Sequence, residues 1–424
     1  YAVLEEHPNA AVRVLEHWLA GGEAAVREFI FGIQGVTLKS VREAAAGWLP
    51  THPGRAQLIL PPRVFNPRFA VGPQTHRMGN DLTAAILERR GAPLAVVCLR
   101  PVMVPDLDGE VTATVLARLA RELRSAPSRP GYVRVRSAPP LIEVAGPADG
   151  FGELMEQLTD SYLAVATDRS PAAAAGKGAR RRALDLMAGL LGVTEADDPS
   201  PATLLRPGNL ALGVVANDAE AAAEALFKFW SVESADDGMT DVQNVAAVPR
   251  TRVAAPGNES VLVVALETAF GGNEAVSMVV REVLAARARD LWPEDRVEVL
   301  HPYVPGRSLL LLELGSPGTV DQVEKLVDGG WTSLTSAVDE EELAPIKRRV
   351  AASASAEMSG VAGHARRCAA TAAGAARWHQ PAEFELEILT VGPEIVNAVL
   401  QGFSDLATLQ TTAAGTLPIS DLKR

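Results

Sequence analysis

Short apolar runs rich in Val alternate along this chain with stretches whose apolar positions recur every three to four residues. The first kind predicts buried strands and the second amphipathic helices. Leu94 to Leu99 (LAVVCL) and Val261 to Leu266 (VLVVAL) read as strands. Each is followed by a helical pattern, Glu110 to Arg124 and Glu274 to Leu291. A two-strand stretch around proline comes next in both places, Tyr132 to Pro147 and Arg296 to Pro317. A further helix follows, Gly152 to Ala164 and Thr319 to Leu334. The order β-α-β-β-α therefore occurs twice, and such runs build an α+β domain, with helices on one face of a mostly antiparallel sheet. Around these units, Asn209 to Val215 reads as a strand and Ala219 to Trp230 as a helix behind an N-cap at Asp218. Asp168 to Arg182 (DRSPAAAAGKGARRR) reads as a mobile, basic-ended loop, and Ala183 to Leu191 as a short helix. Ser231 to Pro256 reads as a polar linker, and Glu340 onward as a long helical tail that starts after Asp339.

The tail has a second copy. Glu28 to Leu49 aligns without a gap with Glu383 to Ser404. Glu28, Phe29, Ile33, Val36, Val41 and Gly47 meet Glu383, Phe384, Ile388, Val391, Val396 and Gly402, and Trp48 meets Phe403. Matched apolar spacing could come from amphipathicity alone. Identity at Glu, Phe and Gly in the same register favours a common origin. The reading is α+β: a first module over 82–230, a second over 257–424, and an N-terminal helical and strand segment over 1–62 resembling the end of a further module. Arg63 to Met78 would then connect that segment to the first module.

Composition narrows the partners. The 424 residues carry 40 Lys and Arg against 52 Asp and Glu, a formal net charge of −12. A general nucleic-acid binder needs a basic face to replace counterions, and an anionic-membrane binder needs one too, so neither is expected. Two cysteines, Cys98 and Cys368, exclude a disulfide framework and any Cys-rich metal site. No apolar run approaches the ~20 residues of a membrane span. The chain opens YAVLEEHPNAAVRVLEH, with no basic start and apolar stretch, and a cytoplasmic location is expected.

The order of the pieces resembles the pitrilysin/insulinase family of metalloproteases, which includes the mitochondrial processing peptidase. Leu82 to Pro101 resembles the opening hairpin of that family's first domain. Leu205 to Val215 (LRPGNLALGVV) resembles its Pro-x-Asn-strand segment, and Asp339 to Lys347 (DEEELAPIK) its acidic-Glu-Leu-x-x-x-Lys opening of the late helices. Val36 to Val41 (VTLKSV) resembles its Val-Thr-x-x-x-Val helix near a domain end. The resemblance implies a pair of related α+β domains and a zinc peptidase built from two halves that close around a peptide.

Zinc chemistry in that family needs H-x-x-E-H on a helix: two imidazoles one turn apart as ligands, with the Glu as general base. The seven His are His7, His17, His52, His76, His301, His364 and His379, and no two stand four apart. The nearest approach, Arg13-Val-Leu-Glu16-His17, puts a guanidinium where a ligand is needed, and a guanidinium has no lone pair to give. The resemblance places the motif on the helix near Gly109 to Leu123, which holds no His and only Glu110 and Glu122 as acids. No catalytic and no metal-binding residue is therefore assigned. No cofactor is expected on this chain, and zinc is expected in a partner subunit or an upstream half. Gly176-Lys177-Gly178 lacks phosphate-loop spacing, and Phe270 to Asn273 reads as a turn before a helix. Cys98 reads as inert core, and Cys368, behind Arg366 and Arg367, as a structural thiol whose pKa those charges could lower.

The resemblance also implies an Arg and a Tyr in the second domain that hold substrate backbone. By position these correspond to Arg289, with Arg287 beside it, and Tyr303; the competing reading makes both arginines solvated helix charges. The function expected is a non-catalytic partner subunit, or inactive half, of a heteromeric zinc peptidase that encloses and positions peptide. The alternatives are a structural scaffold, or a fragment of a longer chain whose upstream part carries the zinc.

Overall fold

The computed structural model describes residues 72–102, 107, 109–125, 131–137, 139–169, 178–192, 200–230, 250–267, 273–302, 308–358 and 360–417. The chain divides into two compact units, 1–70 and 71–424, and all described residues belong to the second. The earlier copy of the repeat, at 28–49, lies outside them.

Valine-rich and alternating segments become strands. In chain order these are β1 (Gln74–Arg77), β2 (Thr83–Glu88) and β3 (Leu94–Pro101). Helix α1 (Glu110–Ser125) follows, with Val111, Val115, Leu119 and Leu123 on one buried stripe. The hairpin β4 (Tyr132–Ser137) and β5 (Pro140–Pro147) leads to α2 (Phe151–Ala166). Then come α3 (Ala179–Leu190), α4 (Pro201–Leu204), β6 (Leu210–Ala216) and α5 (Ala219–Trp230). The six strands form one sheet in the order β1-β2-β6-β3-β5-β4, antiparallel except where β2 meets β6.

The second half repeats the plan. It has β7 (Arg250–Ala254), β8 (Glu259–Glu267), α6 (Glu274–Leu291), β9 (Arg296–Leu300) and β10 (Leu309–Pro317). A capping box between Thr319 and Gln322 opens α7 (Val320–Leu334). The tail is α8 (Glu340–Met358), α9 (Gly360–Ala372), α10 (Pro381–Leu389), α11 (Pro393–Gly402) and the strand β11 (Thr411–Gly415). The sheet order is β7-β11-β8-β10-β9, antiparallel except where β11 meets β7.

Each sheet has a main core on one face. In the first, Ile86, Val97, Leu99, Leu212 and Val214 meet Leu116, Leu119, Met155, Leu158 and Leu226. In the second, Leu262, Val264, Leu310 and Leu312 meet Val280, Leu284, Val323, Ile388 and Val396. The opposite faces are not bare, and here the two halves exchange a helix. Helix α9, from the second half, lies on the first sheet, with Ala365 and Ala369 against Val96, Cys98 and Val215. Gly213 makes room for it: a Cβ there would stand 2.0 Å from the Ala365 carbonyl oxygen and 2.2 Å from the Ala369 nitrogen. Helix α3, from the first half, lies on the second sheet, with Ala183, Leu184 and Met187 against Val261, Val263 and Leu311. The Thr412 hydroxyl donates to the Ala183 carbonyl at 2.8 Å. The loop expected to run to Arg182 thus ends earlier: Arg180, Arg181 and Arg182 are already helical, because α3 has a sheet to pack on.

Candidate functional site

The helix α1 sits where the resemblance would place zinc ligands. Its start is fixed by Gly109, whose φ of +72° favours glycine and whose Cβ would lie 2.8 Å from the Ser137 carbonyl oxygen. Glu110, in its first turn, pairs with Arg180 at 3.0 Å, and Glu122 is exposed. With no imidazole on α1, its residues do not fit a zinc ion. Among the described residues no group of three or more His, Cys, Asp or Glu could hold a metal ion. The Arg13 to His17 stretch lies outside them.

The feature beside α1 that can engage a ligand is the rim of the first sheet. Strand β4 pairs only with β5 among the described residues. The register couples Val133 to Val144 and Val135 to Ile142. Ala148, continuing β5, donates to Pro93 at the foot of β3. Even-numbered β5 residues therefore turn their backbone toward β3, since neighbouring residues in a strand point to opposite sides. Val144 and Ile142 are thus not bonded to β4, and Val133 and Val135 turn their N–H and C=O groups to the open rim. One of these groups is already taken, because Arg124 of α1 donates to the Val133 carbonyl at 2.8 Å.

A charge cluster underlies this rim. Glu143 in β5 is buried and meets Arg136 of β4 at 3.2 Å and Arg366 of α9 at 2.8 Å. Arg136 also pairs with Glu357. The second sheet has the counterpart. Glu313 in β10 is buried and meets Arg296 of β9 at 2.6 Å and Arg180 of α3 at 2.8 Å. Burial pushes the Glu313 carboxyl up, and the two guanidiniums pull against it. These groups carry a signal that sequence reading passed over: a lone Glu in matching strands, LIEVAGP and LLELGSP, and consecutive arginines on each exchanged helix, three in α3 and two in α9.

Of the sequence-predicted substrate residues, Arg287 and Arg289 lie among the described residues, both on α6. All five N–H groups of Arg287 are engaged inside the chain. Nε and Nη2 grip Glu342 at 2.7 Å each, Nη1 reaches the Leu334 and Ser336 carbonyls, and Nη2 reaches the Ala337 carbonyl. Nothing is left on it for a peptide. Arg289 has a side chain 58% exposed, with a long 3.8 Å contact to Glu282. Tyr303 lies outside the described residues. Both cysteines are free and buried. Burial pushes the Cys98 thiol well up and the Cys368 thiol up to about 12, so the Cys368 pKa is raised where the neighbouring arginines were expected to lower it, and neither is a reactive thiolate.

No protein-family model matches the sequence, and no curated protein matches it. Solved structures do. A peptidase M16 inactive domain from Pseudomonas fluorescens superposes with a TM-score of 0.55 at 14% identity, covering 81% of this chain and 98% of that one. The chain has the pitrilysin-type, or M16, fold. A protease from Helicobacter pylori (TM-score 0.54, 10% identity, 82% of this chain and 100% of that one) shares the pitrilysin-type fold. So does a chain of Complex III2 from Candida albicans (0.52, 11%, 81% and 96%). At these identities the likeness is one of fold and carries no activity across. Among the described residues no helix is long and apolar enough to cross a membrane.

Proposed function

We propose that this chain is a non-catalytic partner subunit, or half, of a pitrilysin-type zinc peptidase, and that it encloses and positions peptide while the partner carries the zinc. The modules 82–230 and 257–424 form its wall. The observation that carries the reading is the rim of β4, unpaired among the described residues, beside a first helix that has no His. A peptide strand laid along Val133 and Val135 gains backbone hydrogen bonds of ~0.5–1.5 kcal/mol each, and pairing of this kind is sequence-tolerant. Such a chain raises a rate through orientation and not through a proton or metal of its own. Its likeness to a domain described as inactive agrees with this. Two free, buried thiols suit a reducing, cytoplasmic setting.

The experiment combines activity and strand addition. The chain alone should cleave no peptide, and a zinc-bearing pitrilysin-type partner should give chelator-sensitive cleavage that rises when this chain is added. Val135→Pro removes an outward N–H without breaking the β4–β5 ladder. It should lower that rise about tenfold and leave Tm within a few degrees. A scaffold with no part in proteolysis, which the likeness to a Complex III2 chain favours, predicts no rise with any partner and no effect of the proline. Stoichiometric zinc on the isolated chain would overturn the proposal.

A further inference from the structure

Along the rim of β4, guanidiniums outnumber the carboxylates that pair with them. Residues of this strand alternate between two faces. Val133 and Val135 pack toward the core beneath α1, and Tyr132, Arg134 and Arg136 lie on the face that α9 covers. On that face Glu143 is met by Arg136 and Arg366, and Glu357 by Arg136. Arg134, directly opposite Glu143 in the ladder, is a third guanidinium against two carboxylates. Its side chain bonds the Tyr132 hydroxyl, which burial keeps in its neutral form, and among the described residues it makes no ion pair. Arg134 is half-buried at the strand that has no neighbour on its outer side among those residues.

The other face of the rim is basic as well. Arg124, in the last turn of α1, reaches the Val133 carbonyl, and Arg121 stands one turn earlier on the same side of the helix. Both are exposed, and neither is ion-paired among the described residues. Glu122, two residues from Arg124, points to the far side of α1. The equivalent strand of the second half has the opposite balance. The residue facing the buried Glu313 on β9 is Glu298, and Arg180 and Arg296 are spent on Glu313, Glu298, Glu110 and Glu259. The excess of guanidinium therefore belongs to β4 and not to the sheet plan that both halves share. It stands out in a chain whose formal net charge is −12.

We propose that the peptide strand that adds to β4 is acidic, with an Asp or Glu opposite Arg134. Val133 and Val135 hold the incoming backbone. In an antiparallel pairing Arg134 therefore meets its partner residue at a non-hydrogen-bonded site, where Cα atoms stand ~4.5 Å apart and side chains come closest. An opposite charge in that position attracts and a like charge repels. Arg121 and Arg124 add to the attraction over the ~8 Å that physiological salt leaves unscreened. The inference rests on the reading that β4 takes a peptide strand, and it adds which peptides are taken.

The test measures, by fluorescence anisotropy, binding of three labelled Thr-Val-Thr-X-Thr-Val-Thr peptides to the full chain, with X as Glu, Gln or Lys. At low salt the Glu peptide should bind about tenfold more tightly than the Lys peptide, with Gln between them. The spread should shrink in 1 M NaCl. Arg134→Lys should keep the order, Arg134→Gln should narrow it to about threefold or less, and Arg134→Glu should invert it. Should Arg134→Glu, set opposite Glu143, fail to fold, Arg134→Gln decides alone. Val135→Pro should abolish binding of all three peptides. Equal binding of the three that the proline abolishes would overturn the acidic preference and leave strand addition standing, and so would a Glu preference unchanged in Arg134→Gln. Binding indifferent to the proline, or no binding of any peptide, would overturn the β4 rim as a peptide site and the preference with it.

Discussion

Arg287 shows how a side chain that looks free in sequence can be wholly committed in the fold. It closes the junction between α7 and α8, taking three carbonyls at the end of one helix and the carboxylate of Glu342 at the start of the next. Arg287→Ala should cost about 2–4 kcal/mol, since it strands those carbonyls and breaks a bidentate pair. Arg289→Ala, which removes an exposed charge, should stay within about 0.5 kcal/mol. Urea unfolding of the two variants decides the matter, and equal midpoints would show that the clamp contributes nothing. The difference between the two was not legible in the sequence. They are two residues apart on one helix, and the partner that distinguishes them is 55 residues away. Glu143 and Glu313 escaped notice for the same reason, because a charge inside an apolar run reads as an irregularity until the opposite charge is placed beside it.

Elements were legible where their burial is strong. The strands β3 and β8, the helices α1 and α6 and both hairpins follow from Val-rich runs and helical spacing, and the β-α-β-β-α order is present twice as read. The matched apolar residues of the later repeat copy, Phe384, Ile388, Val391, Val396 and Phe403, are all buried. Three strands were passed over. β7 (RTRVA) is a polar edge strand, β1 (QTHR) has no apolar residue, and β11 (TTAAG) is buried throughout but built of small side chains. Small residues also mark the seat of an exchanged helix, which argues for a test at Gly213. Gly213→Ala would drive a methyl into the α9 backbone and should cost about 1–3 kcal/mol or more. Gly189→Ala, in α3 with open space around it, should instead stabilise by about 0.5–1 kcal/mol. Thermal unfolding separates the two, and a neutral Gly213→Ala would mean that α9 does not seat on the sheet as described.

At the scale of the whole molecule the exchange decides how residues 71–424 hold together. The outer face of the first sheet is closed by α9 and that of the second by α3, so neither half has both faces of its sheet covered by its own residues. A sheet stripped of its exchanged helix would expose Val96, Cys98 and Val215, or Val261, Val263 and Leu311, as a contiguous apolar surface, and would also take from Glu143 or Glu313 one of its two arginines. Removing one partner from a buried charge cluster is destabilising, here less than the ~3–5 kcal/mol of a buried charge left with no counterion, because Arg136 or Arg296 stays in place. The two halves should therefore unfold together. Trp230 reports on the first half and Trp331, whose Nε1 donates to the Phe403 carbonyl at 2.8 Å, on the second. In variants that keep one or the other as their only core tryptophan, guanidinium unfolding should give coincident midpoints, and a chain ended after residue 230 should not yield a folded monomer. Two separated transitions, or an independently folded first half, would show that the exchanged helices are a veneer on two self-sufficient domains.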